Sequence, residues 1–126
     1  MAYIYCNPNP ARRSLTDCTV RAISKILMQR WEDTYLALCE YGLMLHDMPS
    51  TNHVWGTYLL DNGFKRYAIP NTCPDCYTVE EFTKDYPNGK YILATGSHVI
   101  AVIDGDYFDT SDSGHEVPVY FYVQKS

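Results

Sequence analysis

The period of the apolar positions divides the chain into a helical first part and a strand-rich last third. Val20, Ile23, Ile26 and Leu27 recur at helical spacing behind Thr16 and Asp17, two residues suited to capping, which predicts a helix opening at Cys18. Trp31, Tyr35, Leu38 and Cys39 form a second stripe over residues 30–42, with Gly42 where a C-terminal glycine belongs. After the break at Met48–Pro49–Ser50, Ser50 or Thr51 can cap a third helix through Val54, Trp55, Tyr58 and Leu59, ended by Asn62–Gly63. A short strand over 65–69 follows. Thr78 and Glu81 then make a capping-box pattern ahead of Phe82, giving a fourth helix that stops near Pro87. Residues 1–15 read as an irregular lead-in with a short strand at Tyr3–Tyr5.

From Lys90 onward the pattern changes. Segments 91–94, 98–103, 106–109 and 117–123 are rich in Val, Ile, Tyr and Phe, the residues that fit a pleated and half-buried surface. Asp104–Gly105 is a two-residue hairpin signal between the second and third of them. Helices followed by an antiparallel sheet predict an α+β fold, as one domain over residues 1–126.

The composition is that of an ordinary globular protein. The chain has 126 residues, 46% hydrophobic and 20% charged, enough to bury a core without metal or disulfide support. The net charge is −5, and Arg12, Arg13 and Arg21 are too few to make a basic footprint, which argues against nucleic acid as a partner. No run of about 18 apolar residues is present, so no membrane span is expected. The start, MAYIYCNPNPARR, lacks the basic-then-apolar order of a signal peptide. Five cysteines, an odd count, fit a cytoplasmic protein with reduced thiols better than a disulfide scaffold.

Cys18 stands at a predicted helix start, where free N–H groups and the helix dipole favour a thiolate. Such a nucleophile needs a base within hydrogen-bond reach and a group to orient that base. His98 opens a strand just after Ala94–Thr95–Gly96–Ser97, a position that faces a cleft. If Asp104–Gly105 is the turn, Ile103 pairs with Asp106 and His98 falls opposite Ser111. His98, Ile100, Asp109 and Ser111 then share a face, with Asp109 diagonal to His98. Asp112 points the other way and is the second choice of orienter. Arg21, one turn beyond Cys18, can pair with Asp17 at the surface. Cys73-Pro-Asp-Cys76 supplies half of a zinc site and reads as a turn before Thr78. The acidic run from Asp104 to Glu116 does not fit an EF-hand. No metal and no cofactor are expected.

The run TDCTVRAI, followed after a long gap by HVIAVIDGDYFDTSDSG, resembles the papain-like cysteine peptidase superfamily. It is similar in particular to small bacterial and phage-type members akin to the C39-like bacteriocin-processing peptidases. The resemblance implies a papain-like fold, with the Cys18 helix and its neighbours packed on a C-terminal sheet. It also implies a thiol hydrolase that cleaves an amide or isopeptide-type bond of a peptide or protein through Cys18, His98 and Asp109. Asp109–Thr110–Ser111 stands where papain-like enzymes often carry Asn-Ser-Trp, so the trailing aromatic is replaced by Ser111. Those families also place a glutamine shortly before the cysteine, as an oxyanion donor beside the cysteine N–H. None precedes Cys18; Arg12, six positions before it, could donate to the oxyanion instead, as could Asn9 or Asn7 if the lead-in curls back. The missing glutamine also suits a different expectation, a papain-like fold kept as a binding module, such as a phage-type protein that occupies a host factor.

Overall fold

A computed structural model of the chain describes residues 2–11, 17–70, 72 and 74–124. In chain order the elements are β1 (Tyr3–Tyr5), α1 (Cys18–Leu27), α2 (Trp31–Leu45), α3 (Asn52–Asp61), β2 (Phe64–Ala68), α4 (Val79–Asp85), β3 (Lys90–Ala94), β4 (Val99–Ile103), β5 (Asp106–Asp109) and β6 (Tyr120–Gln124). The class is α+β. The strands form one sheet in the order β1-β5-β4-β3-β6-β2.

Strand alternation builds two apolar layers on this sheet. Ile92 and Ala94 of β3, with Val99 and Ala101 of β4, face the helices α1 to α3 and pack with Ile23, Ile26, Leu38, Trp55 and Leu59. Tyr91, Leu93, Ile100 and Val102 face the other way and pack with Val79 and Phe82 of α4. The central strands are therefore buried on both faces, as their near-continuous apolar runs require. Expecting all helices on one side would miss α4, which covers the opposite face.

The turn chemistry is as the residues dictate. Asp104 and Gly105 both take positive φ, 48° and 83°, and Ile103 pairs with Asp106 in antiparallel register. Thr78 and Glu81 form the reciprocal capping box at the start of α4. β3 and β4 are joined through residues 95–98, where Gly96 sits at φ 102° and Thr95 N–H donates to the His98 carbonyl at 2.9 Å.

Four expectations need correction. The sheet is mixed rather than antiparallel, because β1 pairs parallel to β5, Tyr5 opposite Asp109. A lead-in from the far end of the chain completes an edge that no local signal specifies. Gly42 does not end α2 but lies inside it; the helix runs to Leu45 and is closed by His46 at φ 54°. A Cβ at Gly42 would come within 2.8 Å of the Asp47 carbonyl, so the glycine serves close approach of the returning chain. Asp17 takes the N-cap position of α1 but makes no side-chain cap bond, because other partners hold its carboxylate; Thr16 lies outside the described residues. Finally, the thiols are not all reduced. Cys6, Cys18 and Cys39 are free, whereas Cys76, just after the turn at 74–75, is disulfide-bonded. Cys73 lies outside the described residues.

Among the described residues no helix is long and apolar enough to cross a membrane.

Candidate active site

Cys18 is the first residue of α1, and the first helical hydrogen bond runs from Arg21 N–H to the Asp17 carbonyl at 2.9 Å. The N–H groups before Arg21 therefore have no intrahelical acceptor, and no side chain of Asp17 covers them. They lie beside the Cys18 sulfur as donors for an anion. Cys18 and Thr19 line a cleft of about 250 Å³ with Ser50, Asn52, Trp55, Gly96, Ser97, His98 and Tyr120.

His98 enters the cleft from the turn between β3 and β4. Its Nε2–H donates to Asp109 Oδ2 at 2.5 Å, which leaves Nδ1 for the Cys18 sulfur. Asp109 ends β5, one step past the last paired residues, Ala101 and Phe108. The expected diagonal placement thus brings imidazole and carboxylate together. The Asp109 carboxylate is buried and well supplied with donors: Ser113 Oγ–H at 2.9 Å on Oδ2 and Thr110 N–H at 2.7 Å on Oδ1.

The electrostatics follow from these contacts. The hydrogen bond to Asp109 is the largest influence on His98, followed by that to Cys18; against desolvation they lift the imidazole to about 10. Burial pushes the Cys18 thiol up, but the His98 hydrogen bond, the Val99 backbone and the imidazolium charge outweigh it, and the thiol titrates below its ordinary range. Burial likewise pushes Asp109 up, and its bonds to His98, Ser113 and Thr110 overcome this to hold the carboxyl low. All three directions favour the charged forms, thiolate, imidazolium and carboxylate, relative to the isolated groups.

A stability consequence follows. The folded pKa of His98, about 10, lies above its ordinary 6.5. Its contribution is therefore complete below pH 6.5 and drains away as pH rises towards 10. Denaturant midpoints of the wild type and His98→Ala are expected to differ most below that window and to converge above it. An equal gap on both sides would contradict the raised imidazole.

The remaining predicted residues fall elsewhere. Asn9 is buried, and its amide donates to Asp17 Oδ2 at 3.1 Å while its Oδ1 accepts from Ala11 N–H; it does not line the cleft. Its place as an oxyanion donor is therefore corrected: holding Asp17 occupies it. Asn7 Oδ1 accepts from Asn9 N–H. Arg12 lies outside the described residues. Asp112 accepts from the Tyr107 hydroxyl at 2.7 Å and from Gly114 N–H at 2.9 Å, and orients the chain after β5 rather than His98. Arg21 and Asp17 do pair, but not at the surface: each side chain is only 9% exposed.

Sequence reasoning missed three contributors. Ser113 supports Asp109 from a loop position that carries no periodic signal. Trp55, read as core, is 1% exposed yet also floors the cleft, with its indole N–H on Asn52 Oδ1 at 3.0 Å. Tyr120 stacks on Trp55, centroids 6.2 Å apart, and forms the adjoining wall. Only the packing of β6 beside β3 brings it there, so no local pattern could have marked it.

No protein-family model, no curated protein and no solved structure matches this chain.

Proposed function

We propose that the chain is a thiol hydrolase of papain-like architecture, acting on an amide or isopeptide-type bond of a peptide or protein. The observation that carries this reading is the meeting of Cys18, at the open end of α1, with a His98 that is itself held by buried Asp109.

In this scheme the Cys18 thiolate adds to the carbonyl carbon, and the oxygen takes the electron pair. Free N–H groups at the start of α1, that of Cys18 among them, donate hydrogen bonds to that oxyanion. The His98 imidazolium gives its proton to the departing amine as the C–N bond breaks, which leaves a thioester on Cys18. His98, now neutral, takes a proton from incoming water as its oxygen attacks the thioester, and the acid and the thiolate are released. An amine in place of water makes the protein an acyltransferase. Throughout, Asp109 holds Nε2–H and so keeps Nδ1 towards the sulfur. The free thiols of Cys6, Cys18 and Cys39 suit a cytoplasmic setting, whereas the disulfide at Cys76 is uncommon there.

The test is the rate at which iodoacetamide labels Cys18 as pH varies. Labelling is expected well below the pKa of about 8.5 of an ordinary thiol, and His98→Ala should abolish the advantage. Cys18 reacting no faster than Cys39 at neutral pH would overturn the reading. A second reading, a papain-like module that binds a host factor without chemistry, is favoured by one observation. No glutamine precedes Cys18, and the Asn9 amide is committed to Asp17. It predicts that ordinary labelling result together with an intact fold.

A further inference from the structure

We propose that Arg21 is a positioning residue for the thiol chemistry, its guanidinium joining α1 to β5 and holding the Asp109 carboxylate in place against His98. The inference rests on the reading of Cys18, His98 and Asp109 as the reacting groups.

Arg21 is 8% exposed, a rare location for an arginine without a partner for its charge. Nη1 donates to Asp17 Oδ1, and Nη2 lies 3.8 Å from Asp109 Oδ1. One planar fork thus spans two carboxylates from separate elements, which a point charge on a flexible stem does poorly. Asp17 is fixed in turn by the Asn9 amide and by the Trp31 indole N–H at 3.0 Å. The connections form a closed circuit. They leave the start of α1 at Asp17, pass through Arg21 to Asp109 on β5, cross to His98, and return to Cys18, the next residue along.

The charges facing this region come from every side. Asp17 and Asp109 are acidic; Lys25, on the same helix, lies with its ammonium 4.6 Å above the Phe108 ring, and His98 stands beyond Asp109. Cys6, Cys18, Arg21, Lys25 and Asp109 surround one small cavity. Two largely buried carboxylates here need a cation, and breaking such a group from one side leaves charge uncompensated. Without Arg21, Asp109 keeps the Ser113 hydroxyl and Thr110 N–H but loses the positive charge facing Oδ1, and with it one hold on the acceptor of His98. The loosened acceptor weakens the imidazolium beside the sulfur and moves thiolate formation to higher pH.

The experiment follows iodoacetamide labelling of Cys18 against pH in the wild type, Arg21→Met and Arg21→Lys, with Cys39 as internal reference and circular dichroism to verify folding. Arg21→Met is expected to move the acid limb of the Cys18 profile up by about one pH unit, a roughly tenfold slower rate below it. Arg21→Lys should recover part of the loss, since it keeps the charge without the fork. A folded Arg21→Met with the wild-type limb overturns the proposal. If Arg21→Met does not fold, Arg21→Gln, which keeps a donor for Asp17 without the charge, is held to the same expectation and overturned by the same result. The two readings fail separately. A wild type without an acid-shifted limb defeats the hydrolase reading; a wild type that has it, matched by an unshifted variant, defeats only the role of Arg21.

Discussion

Asp109→Ala is expected to strip Cys18 of its reactivity through most of the pH range in which the wild type reacts. The hydrogen bond to Asp109 is the largest cause of the raised His98 pKa of about 10. Without it, only the contact with Cys18 is left to oppose desolvation, and the imidazole falls from about 10 back towards its ordinary range. Above that range the thiol loses the cation that acidifies it, so the labelling profile of Cys18 should move up towards the pKa of about 8.5 of an ordinary thiol. The Ser113 hydroxyl and Thr110 N–H lose their acceptor as well. On an amide substrate the deficit should be larger, about 100-fold or more, since a positioned acid–base group typically contributes that much. Asp109→Asn should be milder, because a side-chain oxygen can still accept from Nε2–H. Labelling profiles of both variants against the wild type check the ordering. An Asp109→Ala protein that folds and labels like the wild type would remove Asp109 from the site.

Trp55→Ala is expected to give the largest loss of stability. The ring is 1% exposed; it stacks on Tyr120, meets Tyr122 edge-on at 5.4 Å, and packs in the layer between α1, α2 and the sheet. Truncating a buried tryptophan removes its transfer energy and leaves a cavity that neighbours refill only partly, a loss of about 3–5 kcal/mol. Against a total of about 5–15 kcal/mol for a typical domain, that is a large fraction. Urea unfolding should show a much lower midpoint with little change of slope. Trp55→Phe should lose less, as it keeps a ring for Tyr120. A loss of under about 1 kcal/mol for Trp55→Ala would mean that the residue is not the keystone of this layer.

Much of this architecture was legible in the residues, and the reason is locality. The Asp104–Gly105 turn dictates its own geometry, and from it the register of β4 and β5 follows. That register in turn places Asp109 near His98, because side chains alternate. The start of α1 at Cys18 and the Thr78–Glu81 box were readable for the same reason. What stayed hidden depends on distant chain. β1 pairs with β5 across the length of the molecule, and Gly42 looks like a helix stop until the chain at 47–49 is seen folding back on it. Arg21 had one visible partner, Asp17 at helical spacing; its second, Asp109, comes only with the tertiary fold. The two-sided burial of β3 and β4 erased the alternation that would have told which face α4 covers.

The carbonyl of Asp109 receives Cys6 N–H at 2.9 Å and the Tyr3 hydroxyl at 3.2 Å, so the first residues of the chain secure one of the last parts of the site. During synthesis the sulfur leaves the ribosome long before the imidazole and carboxylate that acidify it. On the proposed reading, the nascent polypeptide carries a thiol of ordinary reactivity until residue 109 has emerged and docked between β4 and β1. The proposed chemistry would then await completion of the sheet, sparing the half-made protein and its surroundings from an unguarded nucleophile.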